Sequence, residues 1–139
     1  MEYKRFGDTF AVRLDRGDEI LGCLTRLCEQ EGILLASVEG IGASRHAVVG
    51  LYDVDEHAFH GTELNGPMEI TSLLGNVTRK DGKVYLHLHA TLCDPDKHAF
   101  GGHLNECVVG ATAELFVRML PGKVGRRFDE DLGLNLFRF

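Results

Sequence analysis

The stretch Val-Tyr-Leu-His-Leu-His-Ala-Thr-Leu, from Val84 to Leu92, alternates apolar and polar side chains without interruption. Successive side chains of a β-strand point to opposite faces, so this pattern predicts a strand with one buried face. His87 and His89 then share the other face. A third histidine, His103, follows in the sequence Gly-Gly-His. Because a glycine pair permits a tight turn, we expect the backbone to bring the three imidazoles together.

The segment before this strand predicts its partner. Residues 68–78 have strand composition, and Gly75 within them indicates a bulge or a close approach of two backbones. Asp81-Gly82 separates the two runs, and Asp-Gly between strand patterns is typical of a two-residue hairpin turn. The two strands are therefore predicted to pair antiparallel.

The rest of the chain contains one helical pattern and several shorter strand patterns. Apolar residues recur at helical spacing from Asp18 to Gly32, which predicts the main helix. Further strand patterns cover residues 6–14, 33–39, 47–52, 107–120 and 132–139. A turn is predicted over residues 40–44, an irregular loop over 53–67, and a solvated loop with self-neutralising charges over 123–131. The expected fold is α+β, a mostly antiparallel β-sheet with one main helix packed on it in a single compact domain.

Composition limits the class of function. The chain has 139 residues, 44% of them hydrophobic, which is enough for one domain with its own core. No apolar run predicts a membrane span or a secretory signal, and the four cysteines form no CxxC pair, so we expect a cytoplasmic protein with reduced thiols and no membrane partner. The net charge of −6, from 15 basic and 21 acidic residues, is opposite in sign to that of a domain that grips DNA through a broad basic face.

The three histidines suit a transition metal. Three neutral imidazoles fit zinc best among the common metals, and other divalent transition metals accept the same ligands. Cys107, four residues beyond His103, is a candidate fourth ligand. Thr91, Glu69 and Asn76 are candidates to add a ligand or to orient one.

The fourth coordination position separates two kinds of metal site. If water occupies it, the metal supports hydrolase or lyase chemistry, which also needs a nearby group to transfer protons. The candidate carboxylates are Glu39, Glu69, Asp94 and Glu106. If Cys107 or a neighbouring subunit closes the position, the metal only holds the assembly together.

Four segments together resemble the plant and prokaryote PPC domain family. They are residues 40–43, 69–77, 87–89 and 101–104. The similarity runs from about residue 5 to residue 137, and we take 5–137 as one PPC domain. The resemblance implies a homotrimer, and it implies that His87, His89 and His103 occupy the family's metal-binding positions, with Gly101 and Gly102 as the backbone of the loop before His103.

The resemblance and the residues leave three functions open. In plants the PPC domain accompanies AT-hook motifs, and stand-alone prokaryotic members are catalogued as predicted DNA-binding proteins; this chain contains no Arg-Gly-Arg-Pro hook. The first function is thus a stand-alone PPC-domain protein, a DNA-binding or regulatory module with a three-histidine metal site. The second is a zinc-dependent hydrolase or lyase acting on an unknown small molecule. The third is a trimeric assembly module with no catalytic role.

Overall fold

The computed structural model describes residues 1–139 and contains one helix and eight strands. The predicted class, a mostly antiparallel β-sheet with one main helix, is confirmed. The elements are β1 (Glu2–Phe6), β2 (Thr9–Asp15), α1 (Ile20–Gln30), β3 (Ala36–Asp53), β4 (Ala58–Lys80), β5 (Lys83–Cys93), β6 (Ala99–Met119), β7 (Gly125–Asp129) and β8 (Leu134–Arg138). No helix here has the length and apolar character needed to cross a membrane.

Four of the strands pair in a closed circuit. β3 pairs with β4 and β6, and β5 pairs with the same two strands, all antiparallel. β2 and then β1 extend the sheet beyond β6. The β7–β8 hairpin joins β4 through a single parallel bridge, from Arg79 to Gly125. Because β5 has a partner on each edge, its position and register are fixed from both sides.

The helix α1 packs on the sheet through its apolar stripe. The Glu19 carboxylate accepts hydrogen bonds from the backbone N–H groups of Leu21 and Gly22, which caps the start of the helix. Its buried residues join a single core of 26 side chains that the sheet completes. These helix residues are Ile20, Cys23, Leu24, Leu27 and Cys28. The helix bounds lie inside the predicted range, so the predicted main helix is confirmed.

The predicted turn at residues 40–44 is wrong, because β3 runs straight through it. The strand accommodates the glycines with register shifts between Gly40 and Gly42 and between Ser44 and His46. A bulge bends a strand without ending it. At Gly42 a Cβ would lie 2.6 Å from the Ala113 Cα on β6. The glycine there permits close packing of two strands and does not mark a chain reversal.

Three other loop and strand boundaries need correction. The predicted loop at residues 53–67 is mostly strand, since β4 begins at Ala58 and only residues 54–57 connect it to β3. The predicted strand at 6–14 is divided at Gly7, whose φ of 64° turns the chain between β1 and β2. The predicted solvated loop at 123–131 contains β7, which pairs with the predicted terminal strand β8. Exposed strands carry polar residues, so composition alone did not separate them from loops.

The hairpin between β4 and β5 is confirmed. Asp81 and Gly82 both have positive φ, as a two-residue hairpin turn requires. The predicted close approach at Gly75 is also confirmed: a Cβ there would collide with the His87 carbonyl oxygen and lie 2.8 Å from the Leu88 Cα. The bulge of this strand pair lies elsewhere, between Ile70 and Ser72.

Replacing Gly75 with alanine should therefore destabilise the fold. The new methyl group meets fixed backbone of the neighbouring strand, so we expect Gly75→Ala to lower the free energy of unfolding by about 1–3 kcal/mol, measured by urea denaturation. Gly125→Ala is the matched control, because its Cβ would lie 3.9 Å from the nearest atom, the Arg138 carbonyl oxygen. Equal stability of the two variants would contradict the packing at Gly75.

Candidate metal centre

Strand pairing brings the three predicted histidines together. His87 and His89 lie on β5, and His89 is the direct partner of His103 on β6. Gly101 and Gly102 belong to β6 and form no loop, so the predicted tight turn before His103 is wrong. A Cβ at Gly102 would collide with the Gly50 carbonyl oxygen on β3. The two glycines let β6 lie close to β3 and β5 directly before His103.

The geometry of the cluster suits one metal ion. The ring centroid of His87 lies 5.2 Å from the centroids of both His89 and His103, and the centroids of His89 and His103 are 5.5 Å apart. One ring nitrogen from each histidine lies within 4.8 Å of the others. Nitrogens bound tetrahedrally to one zinc at about 2.0–2.1 Å are about 3.4 Å apart. Small side-chain rotations therefore suffice to form a three-histidine ligand set.

The electrostatics of the cluster favour neutral imidazoles. Burial lowers the pKa of His87, and the charges of His103, His89 and Arg126 lower it further. Burial also lowers the pKa of His103, with a smaller contribution from His89. Metals bind the neutral imidazole, so lowered pKa values keep these ligands available in mildly acidic solution.

A cavity of about 1110 Å³ lies beside the histidines. Much of its wall is apolar, and it has five aromatic side chains, Tyr52, Phe59, Tyr85, Phe100 and Phe137. Phe59 packs edge to face on His103, with the ring centroids 6.0 Å apart. No aspartate or glutamate lines the cavity, and its only lysine or arginine is Arg126. The histidines thus face a largely apolar space that carries one positive charge.

Arg126 on β7 is fixed by hydrogen bonds from three of its nitrogens. Nε donates to Thr78 Oγ1 at 3.0 Å, Nη1 to the Asn135 carbonyl oxygen at 3.0 Å, and Nη2 to Asn76 Oδ1 at 2.7 Å. The guanidinium also lies over the rings of Tyr85 and Phe137, at 4.8 and 4.3 Å from their centroids, within the range of cation–π attraction. Arg126 thereby ties the terminal hairpin to β4 and β5.

Among the candidate additional ligands, Asn76 lies in the cavity and Cys107 does not. Asn76 is the strand partner of His87 and is oriented by Arg126. Cys107 is fully buried in the core, where its Sγ contacts Ser44 Oγ at 3.5 Å. Burial raises the pKa of the Cys107 thiol to about 11, whereas metals bind the thiolate. Cys107 is therefore part of the core and not of the histidine cluster.

Thr91 and Glu69 lie outside the cavity. Thr91 is two residues beyond His89 and pairs with Gly101 on β6. Glu69 lines a separate cavity of about 740 Å³, together with Asp94.

The other candidate proton-transfer groups also lie elsewhere. Asp94 accepts a hydrogen bond from the His98 backbone N–H, Glu106 lies 3.5 Å from His46, and Glu39 is exposed on β3. None of the predicted carboxylates lines the cavity beside the histidines.

The sequence reasoning missed Arg126 and Tyr85. Tyr85 shares the alternation that places His87 and His89 on one face, so the pattern could have identified it. Arg126 is followed closely by acidic residues, and nothing in that charge pattern distinguishes it from a surface residue. Two further groups of ligand-type side chains occur, one of Asp53, Glu56 and His60 and one of Asp94, Asp96 and His98. Each is mostly exposed and sits at a turn.

Comparison with known proteins gives one family and several similar structures. The model of the Plants and Prokaryotes Conserved (PCC) domain matches residues 1–121. A metal-containing protein from Archaeoglobus fulgidus is 39% identical, with a TM-score of 0.90 over 99% of this chain and 97% of that one. No curated protein matches the chain.

Two further structures are similar over most of their length. A protein from Bacteroides thetaiotaomicron, described as a presumed DNA-binding protein, is 32% identical with a TM-score of 0.96, over 99% of this chain and 96% of that one. A plant- and prokaryote-conserved (PPC) protein from Pyrococcus horikoshii is 30% identical with a TM-score of 0.87, over 99% and 94% of the two chains.

Proposed function

Since the chain belongs to the Plants and Prokaryotes Conserved (PCC, or PPC) domain family, we propose that it is a stand-alone PPC-domain protein, with residues 5–137 as the domain, that binds a divalent transition metal. His87, His89 and His103 are the ligands, and zinc is the first candidate because three imidazoles suit it. The observation that carries the proposal is that one nitrogen of each ring lies within 4.8 Å of the others. The metal content of the Archaeoglobus relative supports it.

The proposed role of the metal is to bind a small ligand in a regulatory module. Three histidines leave at least one coordination position for water or another molecule, and the adjacent cavity of about 1110 Å³ has room for a small molecule. Hydrolase or lyase chemistry needs a proton-transfer group within hydrogen-bond reach. All the candidate carboxylates lie outside the cavity wall, so we favour ligand binding over reactions that would use them for proton transfer. The four free thiols suit the cytoplasm as its location.

Self-association into a homotrimer is part of the proposal. Leu74 on β4 and Phe116 on β6 flank Glu39 on β3, and 55% and 51% of their surfaces are exposed. Ile41, farther along β3, is 60% exposed. A cluster of large exposed apolar side chains on one sheet is typical of a protein interface. Leu74 is also the strand partner of His89, so a neighbouring subunit here would lie close to the metal centre.

DNA is a second candidate ligand, favoured by the description of the Bacteroides relative. The net charge of −6 opposes broad contact with phosphate groups. We therefore propose that any DNA contact is weak and electrostatic, and that it is secondary to the metal-dependent role.

Zinc binding should be stoichiometric and should depend on all three histidines. We expect one zinc per chain, measured by elemental analysis of untagged protein after reconstitution and dialysis. Loss of an outer-shell partner of a metal ligand weakens binding by about 10- to 100-fold. Loss of a ligand itself should weaken zinc binding by more than this in each of three variants, His87→Ala, His89→Ala and His103→Ala. His57→Ala is the control, because His57 is exposed and belongs to none of the three groups of ligand-type side chains. Absence of stoichiometric metal in the parent protein would contradict the proposed metal site.

Sedimentation velocity should give a species of three times the chain mass of 15.4 kDa. A charge placed in the apolar cluster, as in Phe116→Asp, should dissociate it, because burying an unpaired carboxylate is costly. Arg127→Gln serves as a control on an exposed strand outside the cluster. A monomeric parent protein would rule out the trimer.

DNA binding should be weak and steeply salt-dependent. With fluorescence anisotropy of a labelled duplex, we expect the affinity to fall by orders of magnitude between about 50 and 200 mM salt, as it does for phosphate-dominated contacts. Tight binding that persists at the higher salt concentration would contradict the secondary role given to DNA.

A further inference from the structure

We propose that the cavity beside the histidines binds a small organic anion, a carboxylate with an apolar body, and that Arg126 on the β7–β8 hairpin recognises its negative charge. This inference rests on the proposed function, because it names the ligand class for the same site. It adds a recognition group that lies outside the three-histidine cluster.

The charge distribution of the cavity is the first argument. The chain has 21 acidic residues, yet none lines this cavity, whereas Arg126 and four histidines, His60, His87, His89 and His103, do. No carboxylate of the chain lies within 4.0 Å of an Arg126 nitrogen, whereas Arg79, the other partly buried arginine, has Glu29 Oε2 at 2.7 Å. Partial burial of a guanidinium without a counterion is unfavourable. An anionic ligand would supply the missing counterion.

The hydrogen bonds of Arg126 are the second argument. A guanidinium has five N–H donors, and three are used by Thr78, Asn76 and the Asn135 carbonyl oxygen. One N–H on each terminal nitrogen remains without an acceptor in the chain. The existing bonds and the Tyr85 and Phe137 rings hold the group in one orientation, so an anion in the cavity meets a fixed guanidinium with two unused N–H donors.

The walls of the cavity indicate the rest of the ligand. Five aromatic side chains line it, together with Leu51, Leu64, Leu134 and Leu136. Binding sites for small molecules are mostly apolar with a few fixed polar groups. A carboxylate with an aromatic or branched body would bury apolar surface against these residues. A metal held by the histidines would add a second attraction for the same anion.

The β7–β8 hairpin forms part of the cavity wall, so the proposed ligand class depends on where this hairpin packs. It supplies Arg126, Leu134, Asn135, Leu136 and Phe137 to the cavity wall. The family match ends at residue 121, whereas the hairpin spans 125–138. The side chain of Asn135 donates from Nδ2 to the Tyr85 hydroxyl, and its buried Oδ1 has no donor in the chain. The ligand class is therefore set by residues that follow the matched segment.

Calorimetric titration with benzoate and its neutral isostere benzamide tests the inference. We expect the parent protein to bind benzoate more tightly than benzamide. Arg126→Gln should weaken benzoate binding by at least about 10-fold, the lower end for one charge-assisted hydrogen bond, and should weaken benzamide binding much less. Arg127→Gln is the matched control: it removes the same charge from the next residue of β7, which is exposed and outside the cavity.

A second variant separates charge recognition from placement of the hairpin. Arg126→Lys keeps a positive charge at the same position and loses the planar guanidinium, so it should retain more of the benzoate affinity than Arg126→Gln. A loss in Arg126→Lys equal to that in Arg126→Gln would overturn the inference. So would no detectable benzoate binding to the parent protein, equal affinity for benzamide, or unchanged benzoate affinity in Arg126→Gln.

The same titrations on metal-free and zinc-loaded protein distinguish this inference from the metal proposal. Arg126-dependent benzoate binding by a protein that takes up no zinc on reconstitution would support the anion site and overturn the metal site. Stoichiometric zinc with benzoate affinity independent of Arg126 would do the reverse.

Discussion

The pairing of β5 on both of its edges is the constraint on which the rest of the structure depends. β4 holds one edge through a hairpin, which is a local contact, while β6 holds the other through residues 99–103. The second contact closes the circuit of β3, β4, β5 and β6. It also places His103 opposite His89. The fold and the histidine cluster thus have the same origin, since the register that closes the sheet also sets the distance between the histidines.

Glycines make this closure sterically possible. Gly75 faces the His87 carbonyl oxygen, and Gly102 faces the Gly50 carbonyl oxygen. In both places a side chain would push apart two strands that must touch. The close approaches lie directly beside the histidine positions, so loss of packing there would disturb the geometry of the histidine cluster as well as stability. This is a physical reason for glycines in the middle of strands, where they are otherwise unfavourable.

The candidate site combines two kinds of interaction that differ in range. The histidines are close enough for one ion, and partial burial keeps His87 and His103 neutral by lowering their pKa values. Arg126 adds a fixed positive charge from a separate hairpin. The cavity wall lacks carboxylates, so no acidic side chain in the wall neutralises this charge. A small anion in the cavity, as proposed above, would neutralise this charge.

The sequence by itself determined the local features of this protein. The alternation from Val84 to Leu92 predicts the strand and puts His87 and His89 on one face, because the side-chain period of a strand is two. Asp81-Gly82 predicts the hairpin through its turn geometry, and the helical spacing after Asp18 predicts α1. These signals lie within a few residues of what they determine, so no long-range information was needed.

Only the tertiary structure decided the contacts between distant segments. Gly101 and Gly102 suggested a turn, but they are strand residues that pack against β3 and β5. Cys107 suggested a ligand, but it lies in the core beside Ser44. Arg126 suggested a surface charge, and the hairpin carries it to the cavity. Glycine, cysteine and arginine each suit more than one environment, and strand register and packing, which depend on the whole chain, select among them.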